Sequence, residues 1–161
     1  MSWQPGALPS MLRARARLRQ QVRDFFAERD VLEVDTPVLG RYGVSEPAIE
    51  SVPVQTPDLD GFLQTSPEYF MKRLVAAESG PIYQMGPVFR AGESGRHHNP
   101  EFTILEWYRP GFGIPDLMEE VGALVSRTLG TAPPAVRRYR DLMRDYAGVD
   151  PWTDEDAVLT N

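Results

Sequence analysis

The chain has 161 residues, 42% hydrophobic and 25% charged, which is ordinary for a soluble globular protein with one core. The absence of cysteine excludes disulfides and thiolate metal sites, and a net charge of −6 argues against wholesale binding of nucleic acid. No apolar run reaches membrane-spanning length and no leader segment opens the chain, so a cytoplasmic protein is expected.

A long basic helix is predicted after a loose arm over residues 1–9. Ser10 is its predicted cap, and MLRARARLRQQVRDFFAER follows with apolar positions at Leu12, Leu18, Val22, Phe25 and Phe26. Its many arginines form either a solvated helix face or a docking surface for an acidic partner. Alternation in VLEVDTPVL, with Leu32 and Val34 on one side, then predicts a strand that ends at Pro37.

Loops with short strands are predicted for residues 40–60, and a strand followed by a helix is predicted for GFLQTSPEYFMKRLVAA. Ser66 can cap that helix, Pro67 fits its first turn, and Glu68 lies near its positive end. Capping alone explains Ser66 and Glu68, and contact with a ligand is the alternative.

The stretch GPVFRAGESGRHHNPEFTILEWYRP, residues 86–110, predicts a β-hairpin with a polar loop. Aromatic and branched residues fill PIYQMGPVFR and EFTILEWYR, and turn-forming residues separate them. The loop carries Arg90, Glu93, Arg96, two histidines and Asn99, which is too charged for a mere connection. Cationic donors at a hairpin tip suit a substrate with phosphates.

Alternation along the second strand of the hairpin separates two faces. Phe102, Ile104, Glu106 and Tyr108 share one face, and the other face carries Thr103, Leu105, Trp107 and Arg109. The first face suits a pocket in which Phe102 stacks on a planar base, Glu106 pairs with an ammonium and Tyr108 orients a small ligand. An amphipathic hairpin with a few exposed charges is the alternative, and strand periodicity does not distinguish the two.

After the hairpin, GFGIPDLMEEVGALVSRTLG predicts an amphipathic helix from about residue 115 to residue 129, ended by Gly130. TAPPAVRR predicts a linker or strand, RYRDLMRDYAG a shorter helix, and DPWTDEDAVLTN an acidic end. No internal repeat and no second domain is visible.

The hairpin resembles motif 2 of the class II aminoacyl-tRNA synthetases, since VFR, a short loop and HNPEFTILEWY are similar to its lysyl-tRNA synthetase form. The long helix and the strand ending in Thr36 and Pro37 resemble motif 1, which forms the dimer interface of that family. LEWYRP and TSPEYFMKRL are more similar still to the elongation factor P lysine ligases, paralogues of lysyl-tRNA synthetase without the anticodon-binding domain. The resemblance covers about residues 12–151.

The resemblance implies an α+β fold, an antiparallel sheet flanked by helices, with motif 1 over about residues 11–39 and motif 2 over about residues 82–109. It implies ATP and Mg²⁺ as cofactors, and activation of lysine or β-lysine for transfer to a lysine of elongation factor P. It also implies a homodimer through residues 11–39, for which Phe25, Phe26, Leu32 and Val34 offer apolar surface.

The family's functional residues carry over onto matching positions of this chain. Arg90 is the implied catalytic residue, because its guanidinium would hold the α-phosphate of ATP, while Phe102 would stack on adenine and Asn99 would lie in the ATP site. The implied contacts to the amino acid are Ser66, Glu68, Glu106 and Tyr108.

One position in the loop departs from the family. Gly92 stands where a glutamate would receive the adenine amino group, so either Glu93 or backbone groups around Gly92 take that contact. His97 and His98 point to opposite sides of an extended segment, and no third ligand has suitable spacing, so no metal site is expected.

No sequence of the form GxGxDR, the family's motif 3 with its γ-phosphate arginine, follows Pro110. The chain is therefore expected to be the N-terminal half of a longer enzyme, as a natural truncation, part of a split gene or an expressed fragment. Three functions stay open: the ligase, a lysyl-tRNA synthetase, and a non-catalytic remnant that only dimerises or binds a partner. Against the synthetase, motif 1 begins too early to leave room for an OB-fold module ahead of it.

Overall fold

The computed structural model describes Gln4 and residues 6–153. Its helices are α1 (Pro9–Ala27), α2 (Glu68–Ala76), α3 (Ile114–Leu129) and α4 (Tyr139–Leu142), and a π-helical turn, Met143–Ala147, follows α4. Its strands are β1 (Leu32–Glu33), β2 (Leu39–Gly40), β3 (Pro53–Thr56), β4 (Leu59–Leu63), β5 (Ile82–Phe89) and β6 (Glu101–Tyr108). The mixture of helices and sheets confirms the predicted α+β class.

The central three-stranded sheet is built on the predicted hairpin. Strands β5 and β6 pair antiparallel from Ile82 opposite Tyr108 to Phe89 opposite Glu101. Strand β1 pairs parallel to β5, with Leu32 opposite Ile82, so the order is β1-β5-β6. The hairpin prediction is confirmed, and its loop extends beyond one end of the sheet.

A second, smaller antiparallel sheet has the strand order β2-β4-β3. A Cβ atom on Gly61 of β4 would lie only 2.5 Å from the carbonyl oxygen of Gly40 in β2, so this close approach requires glycine. Just after β4, the Gln64 N–H donates to the carbonyl of Val38, and the Gln64 carbonyl accepts from the N–H of Phe89, both at 2.8 Å. These bonds fasten the segment before α2 to the residue that precedes β2 and to the end of β5.

Helices α1 and α3 cover one face of the central sheet and enclose the core. Phe26 is fully buried, stacks on Tyr83 with ring centroids 4.4 Å apart, and meets the Trp107 ring at 5.6 Å. Val22, Phe25 and Leu124 complete the same apolar cluster. Full burial of one large apolar side chain contributes about 1.5–3 kcal/mol, so this cluster holds the helices to the sheet.

The predicted start and apolar face of α1 are partly wrong. The helix begins at Pro9 with Leu8 as its N-cap, so Ser10 lies inside the first turn and makes no capping bond. Proline suits this position because its ring fixes φ and its missing N–H would be unpaired there. Leu12 and Leu18 are 55% and 45% exposed, because the buried residues of α1 lie in its second half.

Most of the arginines on α1 contact the protein itself. Arg15 donates to a threonine hydroxyl of β6 at 2.6 Å, and Arg19 donates to a carbonyl of β5 at 3.3 Å. Arg23 forms a forked ion pair with Glu33, which lowers the pKa of that carboxyl. These contacts favour a solvated helix face anchored to the sheet over a docking surface for an acidic partner.

Helix α3 begins one residue before its predicted start and ends as predicted, at a left-handed Gly130 with φ of 67°. At its start, the Gly113 N–H donates to the Asp116 carboxylate at 2.8 Å. The predicted last helix forms as α4 and the π-helical turn, ended by Gly148 with φ of 70°. No described helix is long and apolar enough to cross a membrane. Residues 154–161 of the predicted acidic end lie outside the described residues.

Candidate active site on the hairpin

The two predicted faces of β6 are confirmed by their contacts. Trp107 packs on the core beside α1 and donates from Nε1 to Glu120 of α3 at 3.0 Å. Arg109, on the same face, forms an ion pair with the buried Glu120 at 3.3 Å. The other face of β6 looks away from α1 and α3, and its Glu106 contacts the segment before α2. We call it the site face; it carries Phe102, Ile104, Glu106 and Tyr108.

A hydrogen-bonded network lies on the site face around Glu106. Ser66 Oγ donates to Glu106 Oε2 at 2.7 Å, and the Tyr108 hydroxyl donates to Glu106 Oε1 at 2.7 Å. Burial and the bond to Glu106 raise the pKa of Tyr108 well above its ordinary value, so the phenol remains a donor. A carboxylate has about four acceptor sites, and this arrangement therefore leaves Glu106 able to accept an ammonium as well.

Glu68 joins this network through the start of α2. Its N–H donates to Ser66 Oγ at 3.0 Å, and the same hydroxyl also reaches Glu106. The predicted cap is therefore partly wrong: Ser66 bonds the first residue of the helix, but the N-cap residue is Pro67. The Glu68 carboxylate forms an ion pair with Lys72, one turn further along α2. The structure thus brings all four predicted amino-acid contacts into one connected group. Sequence reasoning missed Lys72, although its spacing of four residues from Glu68 is a recognisable signal.

Arg90 lies where β5 leaves the sheet for the hairpin loop. Its backbone N–H donates to the Pro100 carbonyl at 2.9 Å, and its Nε donates to the Thr65 carbonyl at 3.3 Å. Its guanidinium is 5.0 Å from the centre of the Phe102 ring and 3.8 Å from the Glu93 carboxylate. The predicted cation and the predicted stacking ring are therefore neighbours. Nη1 of Arg90 is ion-paired with Glu93, and neither terminal nitrogen donates a hydrogen bond within the described part of the chain.

The backbone at the departing position is suited to glycine. Gly92 has φ of 73°, a left-handed conformation that other residues rarely adopt. The Ala91 N–H donates to the Glu50 carbonyl at 2.8 Å, and a Cβ on Gly92 would lie 3.7 Å from a carboxylate oxygen of Glu50. A second carboxylate, besides Glu93, thus borders Gly92. Sequence reasoning missed Glu50 because it is about forty residues away in the chain.

Asn99 and the two histidines lie on the exposed part of the loop. Backbone hydrogen bonds between Gly95 and His98 close the loop, at 3.1 and 3.4 Å. The Asn99 side chain makes no hydrogen bond to the described part of the chain, so its place in an ATP site stays a prediction. The described residues contain no cluster of three or more histidines and carboxylates that could hold a metal ion.

A small open cleft lies between the second sheet and α2. Ser66 and Glu68 line it directly, together with Thr65, whose carbonyl accepts from Arg90. Of the predicted site residues, only Ser66 and Glu68 line this cleft, and the residues of β6 and of the hairpin tip lie outside it.

Sequence comparison identifies relatives over nearly the whole chain. The family model for tRNA synthetases class II (D, K and N) matches residues 3–146. The chain is 43% identical to the elongation factor P--(R)-beta-lysine ligase of Pasteurella multocida (strain Pm70), over 98% of this chain and 51% of that protein. It is 45% identical to the ligase of the same name from Histophilus somni (strain 2336), over 92% and 48%. The chain spans about half the length of these curated relatives.

Solved structures support the fold. An asparaginyl-tRNA synthetase from Pyrococcus horikoshii, complexed with asparaginyl-adenylate, superposes with a TM-score of 0.63 and 24% identity over 74% of this chain and 28% of that one. A putative aspartyl-tRNA synthetase from Leishmania major Friedlin gives 0.64 and 21%, over 73% and 22%. These likenesses agree with the fold, and the family match establishes that the chain belongs to the class II tRNA synthetases of the D, K and N group.

Proposed function

We propose that this chain carries the ATP and amino-acid sites of a ligase that activates (R)-β-lysine and transfers it to a lysine side chain of elongation factor P. The observation that carries the proposal is the Glu106 network, which joins a carboxylate, a phenol and a serine hydroxyl at the start of α2. Thr65, the residue before that serine, accepts a hydrogen bond from the hairpin arginine. The names of the two bacterial relatives support the choice of β-lysine over lysine and of elongation factor P over tRNA.

The proposed chemistry has two steps. A carboxylate oxygen of the amino acid attacks the α-phosphate of ATP, and the bond to the departing pyrophosphate breaks. The acceptor amine then attacks the carbonyl carbon of the adenylate, AMP leaves, and the amine loses a proton. Neither step needs a side-chain nucleophile, so positioning and charge stabilisation supply the catalysis.

Each proposed residue contributes binding or charge. Arg90 would hold the α-phosphate, where negative charge builds in the transition state, because its fork binds two oxygens at once. Phe102 would stack on adenine, with Asn99 in the same ATP site, while the contact to the adenine amino group falls to Glu93 or to backbone around Gly92.

The other end of the site would hold the amino acid. Glu106 and Glu68 would receive its ammonium groups, and Ser66 and Tyr108 would fix the orientation of Glu106 through their hydrogen bonds. Ammonium groups held by carboxylates in a partly desolvated network favour a basic amino acid over asparagine or aspartate.

Mg²⁺ accompanies ATP in this proposal. The described residues offer no cluster of three acidic or histidine side chains, so the ion would be held mainly by phosphates and water, as is common for Mg²⁺ at nucleotide sites. Its chemistry there is to neutralise phosphate charge. The proposal also includes a cytoplasmic location, where ATP, free amino acids and translation factors occur together.

A hydrolysis-resistant analogue of β-lysyl-adenylate tests the proposal directly, because it engages both ends of the site without turnover. We expect the chain to bind this analogue at least tenfold more tightly than the matching asparaginyl analogue, since unpaired buried polar groups penalise the wrong side chain. Equal affinity for the two analogues, or binding of neither, would contradict the proposal.

Amino-acid-dependent ATP–pyrophosphate exchange by the chain alone is expected to be slow, because no GxGxDR arginine follows Pro110.

Transfer assays distinguish the two candidate acceptors, elongation factor P and tRNA. With the activated amino acid supplied, we expect labelled β-lysine to appear on elongation factor P and not on lysine tRNA. The acidic net charge of −6 supports a protein acceptor over tRNA, since tRNA binding relies on a basic surface. Labelling of tRNA alone would favour a lysyl-tRNA synthetase, and labelling of neither would favour a non-catalytic remnant.

A homodimer through residues 11–39 is also part of the proposal. Phe25 and Phe26 are buried in the core, so they contribute nothing to such an interface. Leu32 of the predicted set is exposed, and the other exposed apolar residues that support the interface are Met11, Leu12, Leu18, Val38 and Leu39. Light scattering is expected to give twice the mass of the chain at micromolar concentration, and a stable monomer there would contradict a dimer.

A further inference from the structure

Lys72 places a positive charge directly beside the proposed amino-acid site. It lies on α2 one helical turn after Glu68, and its ammonium hydrogen-bonds to Glu68 Oε1. The side chains of Lys72 and Glu68 are 58% and 45% exposed, so a ligand in the cleft can reach the same carboxylate. A ligand ammonium that approaches Glu68 therefore reaches a carboxylate that is already paired with the Lys72 ammonium.

The charge of Lys72 also acts on Glu106. Glu68 is linked to Glu106 through Ser66, whose Oγ accepts from the Glu68 N–H at 3.0 Å and donates to Glu106 at 2.7 Å. The bond to Glu68 raises the pKa of Lys72, and the charge of Glu106 adds to that increase. The ammonium therefore lies in the combined field of both carboxylates.

The charges of this group match one class of ligand. Two carboxylates and one ammonium give a net charge of −1. A lysine-type amino acid has two ammonium groups and one carboxylate, a net charge of +1, whereas a diamine of the same length has a net charge of +2. Without Lys72 the site would carry −2 and would attract the diamine more strongly.

We infer that Lys72 is a specificity-determining residue, whose ammonium keeps the amino-acid site at a net charge of −1 and so disfavours diamines relative to lysine-type amino acids. The inference rests on the proposed function, because it assigns the site formed by Glu68 and Glu106 to an amino acid with two ammonium groups. If Lys72 only stabilises α2 by pairing with Glu68, its replacement will change helix stability slightly and ligand preference not at all.

Calorimetric titration at low ionic strength separates these roles. The ligands are lysine and 1,5-diaminopentane, and the variants are Lys72→Met and the matched control Arg73→Met, which removes a neighbouring exposed charge on the same helix. In Lys72→Met we expect both ligands to bind more tightly, and the preference for lysine over the diamine to fall about tenfold, the effect of one unit charge several ångströms away in a hydrated site. Arg73→Met should keep the preference of the unmodified chain, and Lys72→Arg should restore it.

Each outcome bears on one of the two proposals. An unchanged preference in a Lys72→Met chain that binds lysine and melts like the unmodified chain overturns the role of Lys72 and leaves the proposed function intact. An equal shift in Arg73→Met also overturns it, because the effect would then be a general change of surface charge. If the unmodified chain binds neither ligand, the proposed function and the inference fail together.

Discussion

The two faces of β6 carry the same number of side chains but serve different purposes. One face is covered by α1 and α3, and its Trp107 and Arg109 are fixed by the ring of Phe26 and the carboxylate of Glu120. The site face meets α2 and the segment before it, and its polar groups bond to one another through Glu106.

The difference shows how one strand can be both core and active site. On the covered face, Thr103, Trp107 and Arg109 each contact a polar or charged partner on α1 or α3. On the site face, Glu106 keeps acceptor capacity and Arg90 keeps donors, and both remain partly accessible. Changes on the covered face should therefore cost stability, and changes on the site face should cost binding.

The largest expected effect is on the covered face. Phe26→Ala removes a fully buried ring that contacts Tyr83 and Trp107, and we expect the free energy of unfolding to fall by about 3–5 kcal/mol. Urea unfolding measures this loss. Leu18→Ala on the same helix, 45% exposed, should change it by less than about 0.5 kcal/mol. Similar losses for the two variants would mean that α1 does not pack as described.

The next effect is on the site face. Arg90→Ala should weaken binding of ATP by about tenfold to hundredfold, because it removes charge-assisted hydrogen bonds to a phosphate, while thermal stability changes little. The ATP affinity of Arg90→Lys should lie between those of Arg90→Ala and the unmodified chain, because lysine keeps the charge but lacks the forked guanidinium. The exposed Arg13→Ala, on α1, is the control for general charge. ATP affinity that is the same in all four proteins would remove Arg90 from the site.

A smaller effect concerns alkaline pH. Burial, and then hydrogen bonds to carboxylates, raise the pKa values of Tyr83 and Tyr108. The fold therefore favours the neutral phenols, and this contribution is complete below the ordinary tyrosine pKa of about 10 and is lost as pH rises above it. Thermal melts should show the decline, and Tyr108→Phe should make it shallower. Tyr42→Phe, at an 87% exposed position, should leave the decline unchanged. If Tyr42→Phe makes the decline equally shallow, the buried tyrosines are not its cause.

Local patterns were enough to predict the hairpin and its two faces, because alternation along an extended strand fixes which side chains share a side. They were not enough for α1. Helical periodicity predicted both Leu12 and Phe26 as apolar positions of the helix, but tertiary packing buries only Phe26. The helix also begins at Pro9, and Ser10 is not its cap.

Sequence patterns did not predict the contacts between distant parts of the chain. Glu120 lies on a helix that was predicted only to be amphipathic, and the structure shows it buried, with contacts to Trp107 and Arg109. The approach of Glu50 to Gly92 depends on how a loop returns to the hairpin, and no spacing rule reports it.

Binding of (R)-β-lysine to the unmodified chain, to Glu106→Gln and to Glu101→Gln tests the central claim most directly. Both substitutions remove one negative charge from β6, but Glu106 is on the site face and Glu101 is at an alternate, exposed position. We expect Glu106→Gln to weaken binding by about tenfold or more, as for loss of a charged hydrogen-bond partner, and Glu101→Gln to bind like the unmodified chain. Equal affinity for Glu106→Gln and the unmodified chain, with unchanged melting, would contradict the assignment of the site face to the amino acid.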